Sequence, residues 1–176
     1  MKNKIRVLNY SIYKCFYNFI INFLPDDLIS NCYLRPFFAR CFGLKYKGKC
    51  FIRKNIYYIY PDRISFGENV YIGRDAYLDA PGRITFGNNV RIGYQVTFIS
   101  ATHDIGPSDM REGPMLLKPI VIEDGCWIGA RVVIGPGVTV GKGSIITAGS
   151  VVMRSIPPNS FVAGNPARPI QKLDCF

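Results

Sequence analysis

The sequence predicts an all-β domain, a parallel β-helix wound from a six-residue repeat. A helical segment precedes it and one extruded loop interrupts it. Two observations carry this prediction. The apolar–glycine pairs Phe66-Gly67, Ile72-Gly73, Phe86-Gly87, Ile92-Gly93, Ile128-Gly129, Ile134-Gly135 and Val140-Gly141 recur in runs with a step of six. Four residues after the apolar positions stand small or β-branched residues: Val70, Ala76, Val90, Val96, Cys126, Val132, Val138, Ser144 and Ser150. Ile122, Ile146 and Val152 keep the same phase without the glycine. A period of six fits neither a helix nor an alternating strand; it fits a short strand plus a corner, repeated.

The physics follows from the pattern. One aliphatic side chain per repeat points inward and the small residue fits beside it. Glycine is expected to let the backbone turn at the corner. Three strands make a triangular coil of eighteen residues. Stacked coils align the aliphatic residues into internal columns, each Ile or Val contributing roughly 1.5–3 kcal/mol. A single coil buries little, so the repeats depend on their neighbours.

In chain order, residues 1–49 read as a helical segment. Ile5, Leu8, Ile12, Phe16, Phe19, Ile20 and Phe23 recur at spacings of three and four, predicting an amphipathic helix over residues 4–24. Pro25 ends it, Asp26 and Asp27 begin a second helix, and Pro36 opens a third that Gly43 closes. The apolar face of the first helix is expected to pack against the rest of the protein. The other reading is peripheral contact with a membrane surface.

Residues 50–160 carry the β-helix, and 161–176 form a C-terminal tail. The phase slips by two residues around Asp79-Ala80-Pro81-Gly82. After Thr102 the repeat stops until Ile120, so residues 103–119, with Gly106, Pro107, Gly113 and Pro114, read as the extruded loop.

The formal net charge of +10 points to an anionic partner. The basic residues are spread along the chain and no nucleic-acid-binding motif is present, so no nucleic acid is expected. None of the six cysteines falls in a CxxC pair, so no metal site is expected and the thiols read as reduced and structural. Lys2, Lys4 and Arg6 precede an apolar stretch that Asn9, Lys14, Asn18 and Asn22 interrupt, with no signal-type cleavage site, so the expected compartment is the cytoplasm.

The repeats, the Thr102-His103-Asp104 sequence, Trp127-Ile128-Gly129 and the ending Gly164-Asn165-Pro166-Ala167-Arg168 together resemble the hexapeptide-repeat acyltransferases. The similarity is to their maltose/galactoside and surface-polysaccharide O-acetyltransferase branch, over about residues 50–172. The resemblance implies a left-handed parallel β-helix of hexapeptide repeats. It implies a homotrimer with active sites at subunit interfaces, and acetyl-CoA as co-substrate in the groove between prisms. The acceptor it implies is a sugar or glycan hydroxyl, with direct attack on the thioester.

Acetyl transfer to an alcohol needs a base, and histidine titrates near neutrality. His103 is the only histidine, stands at the rim of the loop and matches the family's catalytic position. Asp104 either orients His103 or anchors the loop. Asp79 stands where related enzymes often carry an asparagine that contacts the acceptor; it is either an acceptor contact or a turn residue. Trp127, the only tryptophan, lies between inward neighbours and should face outward. Its match to the family's tryptophan implies a place near the site, stacking on a sugar ring or on CoA, the alternative being filling of the trimer interface. For CoA the resemblance implies Ala130, Ala148 and Arg168, the last pairing with a phosphate. Arg154 and Lys172 are either further phosphate contacts or solvated surface charge. Gln171 stands where the family often has a basic residue. Cys126 reads as packing.

Two acceptor alternatives use the same chemistry: a xenobiotic such as an antibiotic, or the amine of a nucleotide-linked amino sugar. A zinc-dependent carbonic anhydrase on this architecture needs three histidines, and this chain has one. An ice-binding β-helix predicts regular exposed threonine rows, and the exposed positions are irregular.

Overall fold

The computed structural model describes residues 16 and 18–174. Their architecture is a triangular prism of parallel strands, the left-handed β-helix. The first face carries Lys45–Tyr46, Ile64–Phe66, Ile84–Phe86, Ile120–Ile122 and Thr139–Val140. The second face carries Cys50–Ile52, Val70–Ile72, Arg91–Ile92, Trp127–Ile128, Ile145–Ile146, Ser160–Gly164 and Ala167–Lys172. The third carries Tyr57–Ile59, Tyr77–Asp79, Thr97–Ile99, Val133–Ile134 and Val151–Val152. Strand pairing thus begins ahead of residue 50. The C-terminal residues add the antiparallel pair Ser160–Gly164 and Ala167–Lys172 to the second face.

The inward columns are the ones the repeat predicts. Phe66, Ile72, Phe86, Ile92, Ile122, Ile128, Ile134, Val140, Ile146 and Val152 are buried, as are the small residues Val70, Ala76, Val90, Val96, Cys126, Val132, Val138, Ser144 and Ser150.

The glycines do a different job from the one expected. A Cβ on Gly67 would come within 2.5 Å of the Gly87 carbonyl oxygen in the next coil, and one on Gly129 within 2.5 Å of the Ala148 nitrogen. Coil-to-coil approach excludes the side chain there. The left-handed turn falls two residues later, on Asn69, Asp75, Asn89, Gln95 and Arg131, and on Gly137 and Gly143 in the upper coils.

Coil length also departs from eighteen in the lower part. Ile64 pairs with Ile84, Tyr57 with Tyr77 and Tyr77 with Thr97, a step of twenty. Val121 with Thr139 and Val133 with Val151 restore eighteen. The slip at 79–82 is therefore matched by an earlier one at Tyr60, which takes a left-handed φ of 58° before Pro61–Arg63. All the irregular turns lie on one edge, between the third and first faces. In the coil above Asp79 that edge opens into the interruption. The expected loop is a β-hairpin, Ala101–Ile105 paired antiparallel with Glu112–Leu117.

The helical segment departs from the sequence reading twice. The part of the predicted first helix before residue 16 lies outside the described residues. In the described part, Ile21 is buried but Phe16, Phe19 and Phe23 are exposed, so the apolar stripe does not pack on the prism. Pro36 does not start a new helix. Helical residues run from 28 through the π-turn Ser30–Leu34 into Arg35–Cys41. The Arg35 amide donates to the Ser30 carbonyl in an i→i−5 bond, and this wider turn lets the chain pass Pro36, which has no N–H. Asp27 caps the stretch, accepting from the Ser30 amide and hydroxyl, each at 2.8 Å. Gly43 ends it at φ 102°.

Candidate active site

The hairpin is rooted in the slipped corner below it. Ser100, fully buried, donates from its amide and its hydroxyl to the Asp79 carbonyl at 3.0 and 2.9 Å. The Gly82 amide donates to the Ser100 hydroxyl at 2.9 Å, and the Lys118 amide to the Ser100 carbonyl at 2.9 Å. A Cβ on Gly82 would stand 2.2 Å from the Ser100 carbonyl oxygen and 2.8 Å from the Lys118 nitrogen. The two breaks in the repeat are one construction.

His103 projects from the outgoing strand, opposite Met115. Its Nδ1 lies 2.9 Å from the Gly113 carbonyl oxygen. A carbonyl can only accept, so this bond puts the proton on Nδ1 and leaves the Nε2 lone pair free to take one. Nε2 lies 3.3 Å from Oε1 of Glu112, and the imidazole is 37% exposed. Glu112 can hold the imidazolium once Nε2 is protonated, and its exposure keeps that contribution within about 1 kcal/mol.

The register shifts between His103 and Ile105, a bulge of the kind that re-aims a side chain. Asp104 serves this bulge: its Oδ1 accepts the Ile105 amide at 2.8 Å. A Cβ on Gly113 would come 2.7 Å from the Asp104 carbonyl oxygen, so the return strand needs glycine beside the imidazole.

Asp79 ends its strand on the same edge, half-buried, between Ile59 and Ile99 in register. Burial raises the pKa of the nearby Tyr77 phenol, and the Asp79 charge adds to the shift. Tyr77 stacks on Tyr57 at 5.3 Å.

Trp127 faces outward as expected, 58% exposed between the buried Cys126 and Ile128, but it stands on the second face. Ala130 and Ala148 lie one above the other on the edge between the second and third faces. They line an open groove of about 830 Å³ with Arg53, Arg74, Tyr94, Gln95 and Arg131. Arg168 and Lys172 sit on the terminal strand of the second face, where Arg168 donates to the Ala167 carbonyl at 2.8 Å. Arg154 follows the last strand of the third face, on the hairpin's edge, away from the alanines.

One chain therefore holds the predicted residues in two groups. His103, Asp104, Asp79 and Arg154 lie along the hairpin's edge. Trp127, Ala130, Ala148, Arg168 and Lys172 lie on the second face and its far edge. The third face, of two- and three-residue strands about 7–10 Å long, separates the two edges. Sequence reasoning missed Ser100, Glu112 and Gly113. Gly82 had a signal, its place in the slip. The others act through a hairpin register that the repeat does not encode.

Cys126 is packing. Its thiol is fully buried 3.2 Å from the Gly141 carbonyl, and burial pushes its pKa up to about 11. Among the described residues, no cluster of three or more His, Cys, Asp or Glu could hold a metal ion, and no helix is long and apolar enough to cross a membrane.

The fold is a hexapeptide-repeat β-helix, and residues 119–154 match the family model described as bacterial transferase hexapeptide (six repeats). The chain is 30% identical to a maltose O-acetyltransferase from Clostridium difficile, with a TM-score of 0.81, covering 95% of this chain and 88% of that one. It is 29% identical to a hexapeptide-repeat acetyltransferase from Vibrio cholerae solved with acetyl-CoA, with a TM-score of 0.84, covering 97% and 90%. It is also 37% identical over 119 residues to the galactoside O-acetyltransferase of Escherichia coli, covering 68% of this chain. The chain belongs to the hexapeptide-repeat acetyltransferase family. It spans between 55% and 66% of the length of the curated relatives it matches.

Proposed function

We propose that this protein is an acetyl-CoA-dependent O-acetyltransferase that acts on a sugar hydroxyl, with His103 as general base, in bacterial surface-polysaccharide modification in the cytoplasm. The observation that carries the reading is the His103 imidazole, held through Nδ1 by the Gly113 carbonyl, with Nε2 on the exposed side beside the Glu112 carboxylate at 3.3 Å. Nε2 takes the proton of the acceptor hydroxyl as its oxygen attacks the thioester carbonyl. The tetrahedral intermediate collapses with cleavage of the C–S bond. The imidazolium returns its proton to the departing thiolate, so no acyl-enzyme forms.

The two residue groups support a site shared between subunits. Where the hairpin edge of one chain meets the second face of another, His103 and Asp79 come opposite Trp127, Ala130 and Ala148. A homotrimer supplies three such sites. In this arrangement Ala130 and Ala148 leave room for the pantetheine arm, and Arg168 and Lys172 meet its phosphates, with Arg154 contributed from the hairpin edge. Asp79 accepts hydrogen bonds from sugar hydroxyls, Trp127 stacks on a sugar ring or on CoA, and Asp104 keeps the bulge that aims His103.

The test is CoA release from acetyl-CoA with a panel of neutral and acidic sugars, antibiotics and amino sugars, the product identified by mass. Acceptor-dependent O-acetylation of a sugar is expected. Transfer only to an amine or only to an antibiotic would replace the acceptor assignment.

A further inference from the structure

The helical segment turns its polar side to the protein and its apolar side outward. Ile21 is fully buried, Asn18 Oδ1 accepts the Tyr58 amide at 3.3 Å, and the Asn22 side chain donates to the Ile56 carbonyl at 3.4 Å. Phe16, Phe19 and Phe23 face away, at 64%, 66% and 77% exposed, with the last two rings stacked at 5.9 Å. The next helical stretch repeats the arrangement. Ser30, Asn31, Arg35 and Ala39 are buried, while Leu28, Ile29, Tyr33 and Phe37 are exposed. Singly exposed apolar residues need no explanation, but two consecutive helical stretches presenting aromatic and aliphatic faces do.

Charge says what covers this face. Residues 1–25 contain Lys2, Lys4, Arg6 and Lys14 and no Asp or Glu. In sequence, the spacing of the exposed phenylalanines continues back through Ile12, Leu8 and Ile5. The first acids follow this stretch: Asp26 is taken up by Arg53 and Arg74, and Asp27 caps the next helical stretch through the Ser30 amide and hydroxyl. An aromatic stripe preceded in sequence by four cations and no acid complements an anionic lipid surface, where rings enter the headgroup boundary and ammonium groups meet phosphates. A second copy of this chain would bring the same positive charge to the same face.

We propose that this outward face docks the protein on an anionic bilayer. The experiment is flotation of the full chain with phosphatidylcholine vesicles, with and without phosphatidylglycerol, at two salt concentrations. Binding is expected only with the anionic lipid and weaker at high salt, and Phe19→Ser with Phe23→Ser should lower partitioning roughly tenfold. Absence of binding, or equal binding by the double variant, would overturn the proposal. So would a change in oligomeric state of the double variant on gel filtration, which would assign the face to contacts between copies.

A milder probe is Phe23→Trp in a Trp127→Phe background. Its emission should shift to the blue when anionic vesicles are added, and an unchanged spectrum would contradict insertion. Acetyl-CoA turnover by the unaltered chain without vesicles reports on the enzymatic reading separately.

Discussion

Nδ1 of His103 and the carbonyl oxygen of Gly113 stand 2.9 Å apart across the two strands of the hairpin. This relationship gives the histidine a direction: the return strand takes Nδ1, and Nε2 points to the exposed side beside Glu112. The bond depends on register, since His103 pairs with Met115 and the bulge shifts the pairing before Glu112. Whatever moves the hairpin root moves His103.

Gly82 is that root. A methyl group there meets the Ser100 carbonyl and the Lys118 amide, both backbone, so nothing flexible can give way. Gly82→Ala is expected to destabilise the protein by about 1–3 kcal/mol. It should also lower kcat by up to about 10²-fold through displacement of His103. Thermal melting and steady-state acetyl transfer check both effects, and full activity with an unchanged melting temperature would refute the hairpin–corner coupling.

Asp26 ties the helical segment to the prism. Its carboxylate accepts from Arg53 at 3.0 and 2.8 Å and pairs with Arg74. The hydrogen bonds from Arg53 hold its pKa far below the ordinary carboxylate range, against the opposing effect of burial. A depressed folded-state pKa stabilises above the unfolded value of about 4, and the contribution is lost as pH falls from there toward the folded value. Asp26→Asn should therefore cost about 1–2 kcal/mol near neutrality, because it weakens the charge-assisted hydrogen bonds from the partly exposed Arg53 and Arg74 guanidinium groups. The gap from the unaltered protein should narrow below about pH 4. Urea unfolding of both proteins across that range checks the sign; a gap constant down to acid pH would refute it.

The inward columns were legible because burial imposes a period, and a period survives in sequence. What a glycine excludes is not visible that way. Gly67 and Gly129 look like turn residues but are spaces for the next coil, while Asn69 and Arg131 carry the left-handed turns. The stripe Phe16–Phe19–Phe23 was legible as a stripe, but periodicity does not say which side meets the protein. Asn18 and Asn22 decide that by bonding to the backbone around Tyr58 and Ile56.

The candidate base was legible for a different reason. His103 is the only histidine and stands where the winding stops. Its partners were not, because Gly113 contributes a backbone carbonyl and Glu112 an exposed carboxylate, both brought to it by the hairpin register rather than by a recognisable motif. The division of the site into two groups also needed three dimensions. Trp127 and His103 are 24 residues apart in number, yet they occupy different sides of the prism.

The most direct test of His103 as general base is acetyl transfer by His103→Ala, with fold and assembly verified by circular dichroism and gel filtration. Loss of the base should lower kcat roughly 10²–10⁴-fold while acetyl-CoA still binds. A folded variant that retains near-full turnover would contradict the assignment.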